Sequence, residues 1–350
     1  MPETAPNELL QTLPFALYER YCLLGQIARL LFPTGSTYRV LDVGGHTPPF
    51  WPGFSSLAGA LIPHAQVTVA DVQPTAQLEN YVSTSGALLP FRDGTFDLVC
   101  SLDTLEHTPS ASRQTFLREL LRVSRDALYI AFPFDSSANQ WAESLIREYT
   151  CDVLQLPLPA LQEHRQFGLP GRDVVNGVLA STGYSWTGFV QGNTDVWVLM
   201  MLTYHALRLA GAQFIENLNR GFNRLFAPQD WSEPGYRAAY IVSKTRGTDE
   251  IGQLKAELVP LGKGVDLLSL LSYCRRSLEA AKECSPPSGW DPRLQRIEAA
   301  LASVIEVAQE RGDGSGQFLR LRLAELVPSG SKRPRASFVR KVTRFFERAR

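Results

Sequence analysis

Three short stretches of this sequence end on residues able to do chemistry. In FDLVCSLDTLEHTP, residues 96–109, an apolar run gives way to Asp103, Glu106 and His107 and is stopped by Pro109. In YRVLDVGGH, residues 38–46, a second apolar run closes on Asp42, Gly44, Gly45 and His46. In AQVTVADV, residues 65–72, a third closes on Asp71. Carboxylates bind hydroxyls, imidazoles move protons near neutral pH, and paired glycines let backbone N–H groups approach an anion. Each signal also has a plain structural reading: a turn, a helix N-cap, a loop ordered by its own polar pair. Their common position makes them the residues to inspect. Open parallel sheets bind ligands beyond the carboxyl ends of their strands, and all three clusters sit at such ends.

The elements that must position them are legible as alternating patterns. Residues 14–33 carry Leu17, Tyr21, Leu24, Ala28 and Leu31 at helical spacing, closed by Pro33. Apolar, β-branched runs at 37–43, 65–71, 95–102 and 126–134 read as buried parallel strands, and 110–123 reads as a helix between the last two. A helix over 172–184, a strand over 185–193, a helical stretch over about 195–226 and a strand over 235–244 follow. From Thr245 onward the pattern is helical, interrupted at Pro260 and by PPSG at 286–289. Strands alternating with helices predict an α/β domain over 1–246 with a helical insertion at about 195–228. A helical extension is expected over 247–328 and a basic tail over 329–350.

Composition narrows the class. A hydrophobic fraction of 44% with 20% charged residues fits a globular fold and excludes a disordered chain. The formal net charge of zero hides an asymmetry, because Ser331–Arg350 carries eight basic residues against Glu347. Five scattered cysteines (Cys22, Cys100, Cys151, Cys274, Cys284) without CxxC spacing suggest reduced thiols in a cytoplasmic protein, with neither a zinc site nor a disulfide framework. The N-terminal residues lack the basic-then-apolar pattern of a secretory signal. Val196–Ala212 is interrupted by Tyr204, His205 and Arg208, so it reads as a buried or substrate-covering helix.

LPFRDGTFDLVCSLDTLEHTP, with VLDVGG and VTVADV upstream, resembles the signature of class I S-adenosylmethionine-dependent methyltransferases of the type 11 group. The resemblance covers roughly residues 15–190. FLRELLRVSRDALYIAFPFDS, LQEHRQFGLP and YRAAYIVSK resemble a narrower subset associated with bacterial surface-glycan synthesis. The resemblance implies a Rossmann-like, doubly wound, mostly parallel seven-stranded sheet, and S-adenosylmethionine as the cofactor. It places Asp42, Gly44 and Gly45 against the methionine part, Asp71 on the ribose hydroxyls and Val72 beside the adenine. Ser85, Gly86 and Ala87 would edge the adenine, and Leu102 and Asp103 would border the sulfonium. Where the family has another glycine after the pair, this chain has His46-Thr47-Pro48-Pro49, a stiffer loop.

Methyl transfer is chiefly a positioning problem, and no metal is expected. For a hydroxyl acceptor, best assigned to a saccharide or glycolipid precursor, a base would help, and Asp103, His107 and His164 are the candidates. Arg165 is a candidate acceptor ligand, His164 is placed in an irregular acceptor-binding stretch, and Glu106 is read as structural. Tyr18, Arg20 and Tyr21 on the first helix are placed to cover the cofactor. Two other readings stand: a non-catalytic binding or scaffold protein on the same fold, motivated by the proline loop, and a nicotinamide-dependent oxidoreductase, disfavoured by the missing GxGxxG. SFVRKVTRFFERAR sets Phe338, Val342, Phe345 and Phe346 on one helical face among basic residues. It reads either as an anchor on an anionic membrane surface, peripheral to the inner face, or as a solvated terminus. Self-association through the leucine-rich helices before it is a further expectation; a specific nucleic-acid partner is not.

Overall fold

A computed structural model of the chain describes residues 8, 10–32, 35–45, 56–62, 64–73, 80–259, 264–284 and 291–311. The strands are β1 Tyr38–Val43, β2 Ala65–Asp71, β3 Tyr81–Ser83, β4 Phe96–Leu102, β5 Ser124–Pro133, β6 Ser185–Asn193 and β7 Gly235–Ser243. They form one sheet in the order β3-β2-β1-β4-β5-β7-β6, parallel except for β7, which runs against both its neighbours. This is the expected Rossmann-like doubly wound sheet. Every residue of β4 is buried, which is why FDLVCSL reads as a continuous apolar run and not as an alternation. The chain leaves β1 in one direction, through β2 to β3, and returns on the other side of β1 with β4. That reversal opens a crevice at the carboxyl ends of β1 and β4.

The helices of the first half are α1 Phe15–Leu31, α2 Leu57–Leu61, α3 Arg113–Val123, α4 Ser137–Glu148, α5 Pro159–Phe167 and α6 Arg172–Ala180. Those of the second half are α7 Thr194–Leu207, α8 Ala212–Leu225, α9 Thr248–Leu258, α10 Leu267–Glu283 and α11 Pro292–Arg311. One face of the sheet is covered by α1, α2 and α9, whose Leu24, Ile27, Leu57, Ile251 and Leu254 pack on Val40, Leu98 and Tyr129. The other is covered by α3 and α6, through Phe116, Leu117, Leu120, Val175 and Leu179. A third cluster lies among the remaining helices, with Tyr236 of β7 and Phe15 of α1 at its edge.

Three departures from the expected elements have local causes. The helical stretch over 195–226 is two helices, because the chain turns at Arg208–Gly211 and Gly211 takes φ 136°, a backbone state open to glycine. The expected irregular stretch around His164 is helical. α4 starts where Ser136 accepts from the Asn139 N–H, and α5 starts on Pro159 at its first turn. β3 is a half-exposed edge strand of three residues, too short to leave a periodic signal.

Val196–Ala212 contains most of α7, which is buried nearly all round by the third cluster. Among the described residues no helix is long and apolar enough to cross a membrane. The basic tail, 329–350, lies outside the described residues. Leu271 of α10 is fully buried in the cluster that also holds α7. Leu271→Ala is expected to cost about 2–5 kcal/mol and to lower the melting of the whole chain in one transition. An early, separate transition in calorimetry would contradict that shared core.

Candidate active site

The crevice is built from strand ends. Asp42, at the end of β1, is fully buried; Tyr21 Oη of α1 donates to its Oδ2 at 2.9 Å and Cys100 Sγ of β4 lies 3.5 Å from its Oδ1. Burial pushes its carboxyl up to about 6, against those two hydrogen bonds. The next residues turn sharply over this group. Gly44 has φ +82° and its N–H donates to Ala70 O at 2.8 Å. A Cβ on it would lie 2.1 Å from Thr104 Oγ1, and one on Gly45 would lie 2.2 Å from Asp42 Oδ2. Only glycine passes at either position.

Asp71 ends β2 half-buried, accepting from the Gln73 N–H at 3.0 Å, and Val72 beside it is 69% exposed. After β3, Gly86 lies against the Phe116 ring, and Ser85, Ala87 and Leu88 line the same rim half-buried or exposed. A carboxylate flanked by an apolar side chain left in water suits a ribose diol and the face of a purine. The glycine cradle and this rim are chemically compatible with S-adenosylmethionine. Residues 46–55, with His46-Thr47-Pro48-Pro49, and residues 74–79 lie outside the described part.

Leu102 and Asp103 end β4. Asp103 has φ 49°, the left-handed region, and its N–H donates to Ala131 O at 2.8 Å. In this conformation its carboxylate meets two guanidiniums. Arg20 Nη1 of α1 is 2.7 Å from Oδ2, and Arg237 Nε of β7 is 2.9 Å and 3.1 Å from the two oxygens. Burial alone would raise the Asp103 carboxyl, but Arg20 and Arg237 more than offset it and hold it below the ordinary value. Asp103 is therefore a fixed charge at the crevice and a poor proton acceptor. Arg237 is itself 1% exposed, and its Nη1 lies 3.6 Å from Glu19 Oε2, an ion-pair distance without a hydrogen bond.

The third layer lies beyond Asp103, on the single turn Leu105–His107 and on α5. His107 Nδ1 is 2.7 Å from Glu163 Oε2, and His164 Nδ1 is 2.9 Å from Glu143 Oε1 of α4. Tyr236 Oη donates to the same Glu143 oxygen at 3.0 Å. The two Nε2 atoms face each other at 3.4 Å. Burial and the neighbouring His164 lower His107 below the ordinary imidazole value, against the pull of Glu163. Glu106 is fully buried beside them, and burial and the charge of Asp103 raise its carboxyl well above the usual range. A cleft of about 470 Å³ opens next to His164, lined by polar Asp135, Gln140, Glu143, Arg147 and Arg165 together with apolar Leu161 and Leu169.

The structure thus groups Asp42, Gly44, Gly45, Asp71, Val72, Ser85, Gly86, Ala87, Leu102 and Asp103 at one sheet end, and His107 with His164 just beyond. Sequence reasoning missed Arg237, Glu143, Glu163 and Tyr236. Arg237 had a signal: it is the one charge inside the apolar strand GYRAAYIVS. Glu143 and Glu163 had none, since an acid on an amphipathic helix, one of two on α4 and the single one on α5, carries no mark of the histidine it will meet. Of the first-helix residues, Arg20 and Tyr21 reach Asp103 and Asp42, while Tyr18 lines a separate pocket with Glu19, Cys22 and Trp231.

Arg237→Met is expected to destabilise the fold by about 3–5 kcal/mol in denaturant unfolding, because Glu19 and Asp103 lose a buried partner. A loss under about 1 kcal/mol would show that Arg20 alone sustains Asp103.

A family model described as a methyltransferase domain matches residues 50–132. The match contains Asp71, Ser85–Ala87, Asp103, Glu106 and His107; Asp42, the glycine pair and His164 flank it. Among solved structures, the chain is similar to an S-adenosylmethionine-dependent methyltransferase from Aquifex aeolicus. The identity is 19%, over 44% of this chain and 76% of that one, with a TM-score of 0.28. It is also similar to the YcgJ protein from Bacillus subtilis, at 13% identity over 63% of this chain and 99% of that one, with a TM-score of 0.37. No curated protein sequence matches. The fold assignment rests on the strand order itself. With the matched domain it supports a methyltransferase whose cofactor is S-adenosylmethionine.

Proposed function

We propose that this protein methylates a hydroxyl of a saccharide or glycolipid precursor. When bound, S-adenosylmethionine supplies a methyl group on a positively charged sulfur. The chain's own residues do the rest. Gly44 and Gly45 let the backbone close on the methionine part, Asp71 takes the ribose hydroxyls, and Val72 with Ser85–Ala87 bounds the adenine. Asp103, locked by Arg20 and Arg237, sets a fixed negative charge at the end of β4.

The observation that carries the acceptor class is the cleft beside His164. Its Asp135, Gln140, Glu143, Arg147 and Arg165 mix donors and acceptors around a volume of about 470 Å³, as a ring bearing several hydroxyls requires. Of the imidazole pair it touches His164, while Asp103 and the glycine turn do not line it, so an acceptor seated there would meet His164 first. The imidazoles of His107 and His164, with their carboxylates Glu163 and Glu143, stand in the same layer as groups that can ease departure of the acceptor proton.

The test is to incubate the full-length protein with methyl-labelled S-adenosylmethionine and fractionated bacterial extract. Label is expected in the oligosaccharide or lipid-linked saccharide pool. Label confined to protein or nucleic acid would overturn the acceptor class, and no label in any pool would overturn the enzyme.

A further inference from the structure

In the tautomer that its carboxylates favour, the imidazole pair has no proton between its rings. The proton that His107 and His164 each place on Nδ1 is donated to Glu163 and Glu143. The two Nε2 atoms are then lone pairs facing each other at 3.4 Å. Glu106 adds to the imbalance. Its side chain is buried, both its oxygens lack a hydrogen-bond partner among the described residues, and its Oε1 lies 3.9 Å from His107 Nε2 and 4.0 Å from His164 Nε2. A buried carboxyl without a hydrogen-bond partner is costly in either protonation state, and a cation between these atoms would give its ionised form a partner.

We propose that Glu106, His107 and His164 hold a divalent first-row metal ion of zinc-like preference, whose open coordination positions take an oxygen of the acceptor. Two imidazoles and one carboxylate, with no thiolate, suit zinc, cobalt, manganese or ferrous iron better than magnesium, which prefers oxygen alone. The three ligand atoms lie within 4.8 Å of one another. Bonds of about 2.0–2.1 Å in a tetrahedral site put ligands ~3.3 Å apart. The two nitrogens already have that spacing, and a rotation of the Glu106 carboxylate of about half an ångström supplies the third.

The outer contacts also match. Each imidazole is oriented through its far nitrogen by a carboxylate, the arrangement that fixes the tautomer and raises the basicity of a metal-bound histidine. The His107 side chain is 30% exposed, which gives an ion a way in, and His164 borders the acceptor cleft. The identity of the oxygen ligand rests on the methyltransferase reading; metal binding does not. A metal here departs from the expectation that methyl transfer alone needs none.

The test uses the full-length protein stripped with a chelator and titrated with Co²⁺, followed by visible ligand-field absorption and then by displacement with Zn²⁺. One equivalent is expected to bind. Glu106→Gln and His107→Gln are each expected to weaken binding ~100-fold or more, and Glu163→Gln about 10–100-fold. Metal-free Glu106→Gln is expected to melt no lower than the parent, because it replaces a buried carboxyl that has no hydrogen-bond partner among the described residues with a neutral group of the same shape; His107→Gln, at a part-exposed position, guards against a folding defect. No Co²⁺ spectrum at about millimolar metal would overturn the site. So would parent-like affinity in both variants, which would place the ion elsewhere and leave a shared proton between the imidazoles. Metal bound by a protein that transfers no methyl supports this site and retires the methyltransferase reading; methyl transfer by a protein that binds no metal does the reverse.

Discussion

The carboxylate of Asp103 between Arg20 and Arg237 is the contact on which the rest of this structure depends. It joins three elements far apart in sequence: α1, the end of β4 and the reversed strand β7. A charge this buried costs several kcal/mol unless it is paired, so its partners must be in place for the fold to form. Their placement in turn brings α1 over the end of β1, where Tyr21 reaches Asp42. The left-handed backbone of Asp103 belongs to the same constraint, since it turns the carboxylate away from the strand direction and towards the two guanidiniums.

From that clamp the polar groups are layered outwards. The glycine turn and Asp42 lie on the β1 side, and Asp71 lies one strand further along. On the β5 and α4 side come Glu106, the imidazole pair and the cleft. Tyr236 links the layers, because it adjoins Arg237 on β7 and donates to Glu143, which orients His164. The Tyr236 ring is in turn stacked on Trp197 of α7 at a centroid distance of 4.1 Å. α7 therefore supports the site through this aromatic contact and through Thr194, whose Oγ1 donates to Asn139, which in turn donates to the Tyr236 carbonyl.

Much of this was legible in the residues, for identifiable reasons. Strands buried on both faces leave apolar runs, and glycine, acid and histidine at their ends mark a ligand crevice whatever the ligand. Asp42, Gly44, Gly45, Asp71 and Asp103 could be placed on those grounds. The role of Asp103 could not, because its two arginines come from positions 83 residues before it and 134 after it, and no local pattern encodes that meeting. Glu106 was read as structural because a polar pair such as Glu106-His107 can simply order its own loop, and only the fold shows that this acid lacks a hydrogen-bond partner among the described residues. α4 and α5 escaped notice although Ser136 and Pro159 mark their starts, because the stretch between β5 and α6 was read as irregular, and with them went Glu143, Glu163 and the helical setting of His164.

The central claim is that the ends of β1, β2 and β4 form one seat for S-adenosylmethionine, and calorimetric titration of the full-length protein tests it most directly. Saturable binding of one equivalent is predicted, and Asp71→Ala is predicted to weaken it ~10-fold or more without lowering the melting temperature, since a charged acceptor of two hydroxyl hydrogen bonds is lost. No heat of binding at about millimolar cofactor, or an unchanged affinity in Asp71→Ala, would contradict the account.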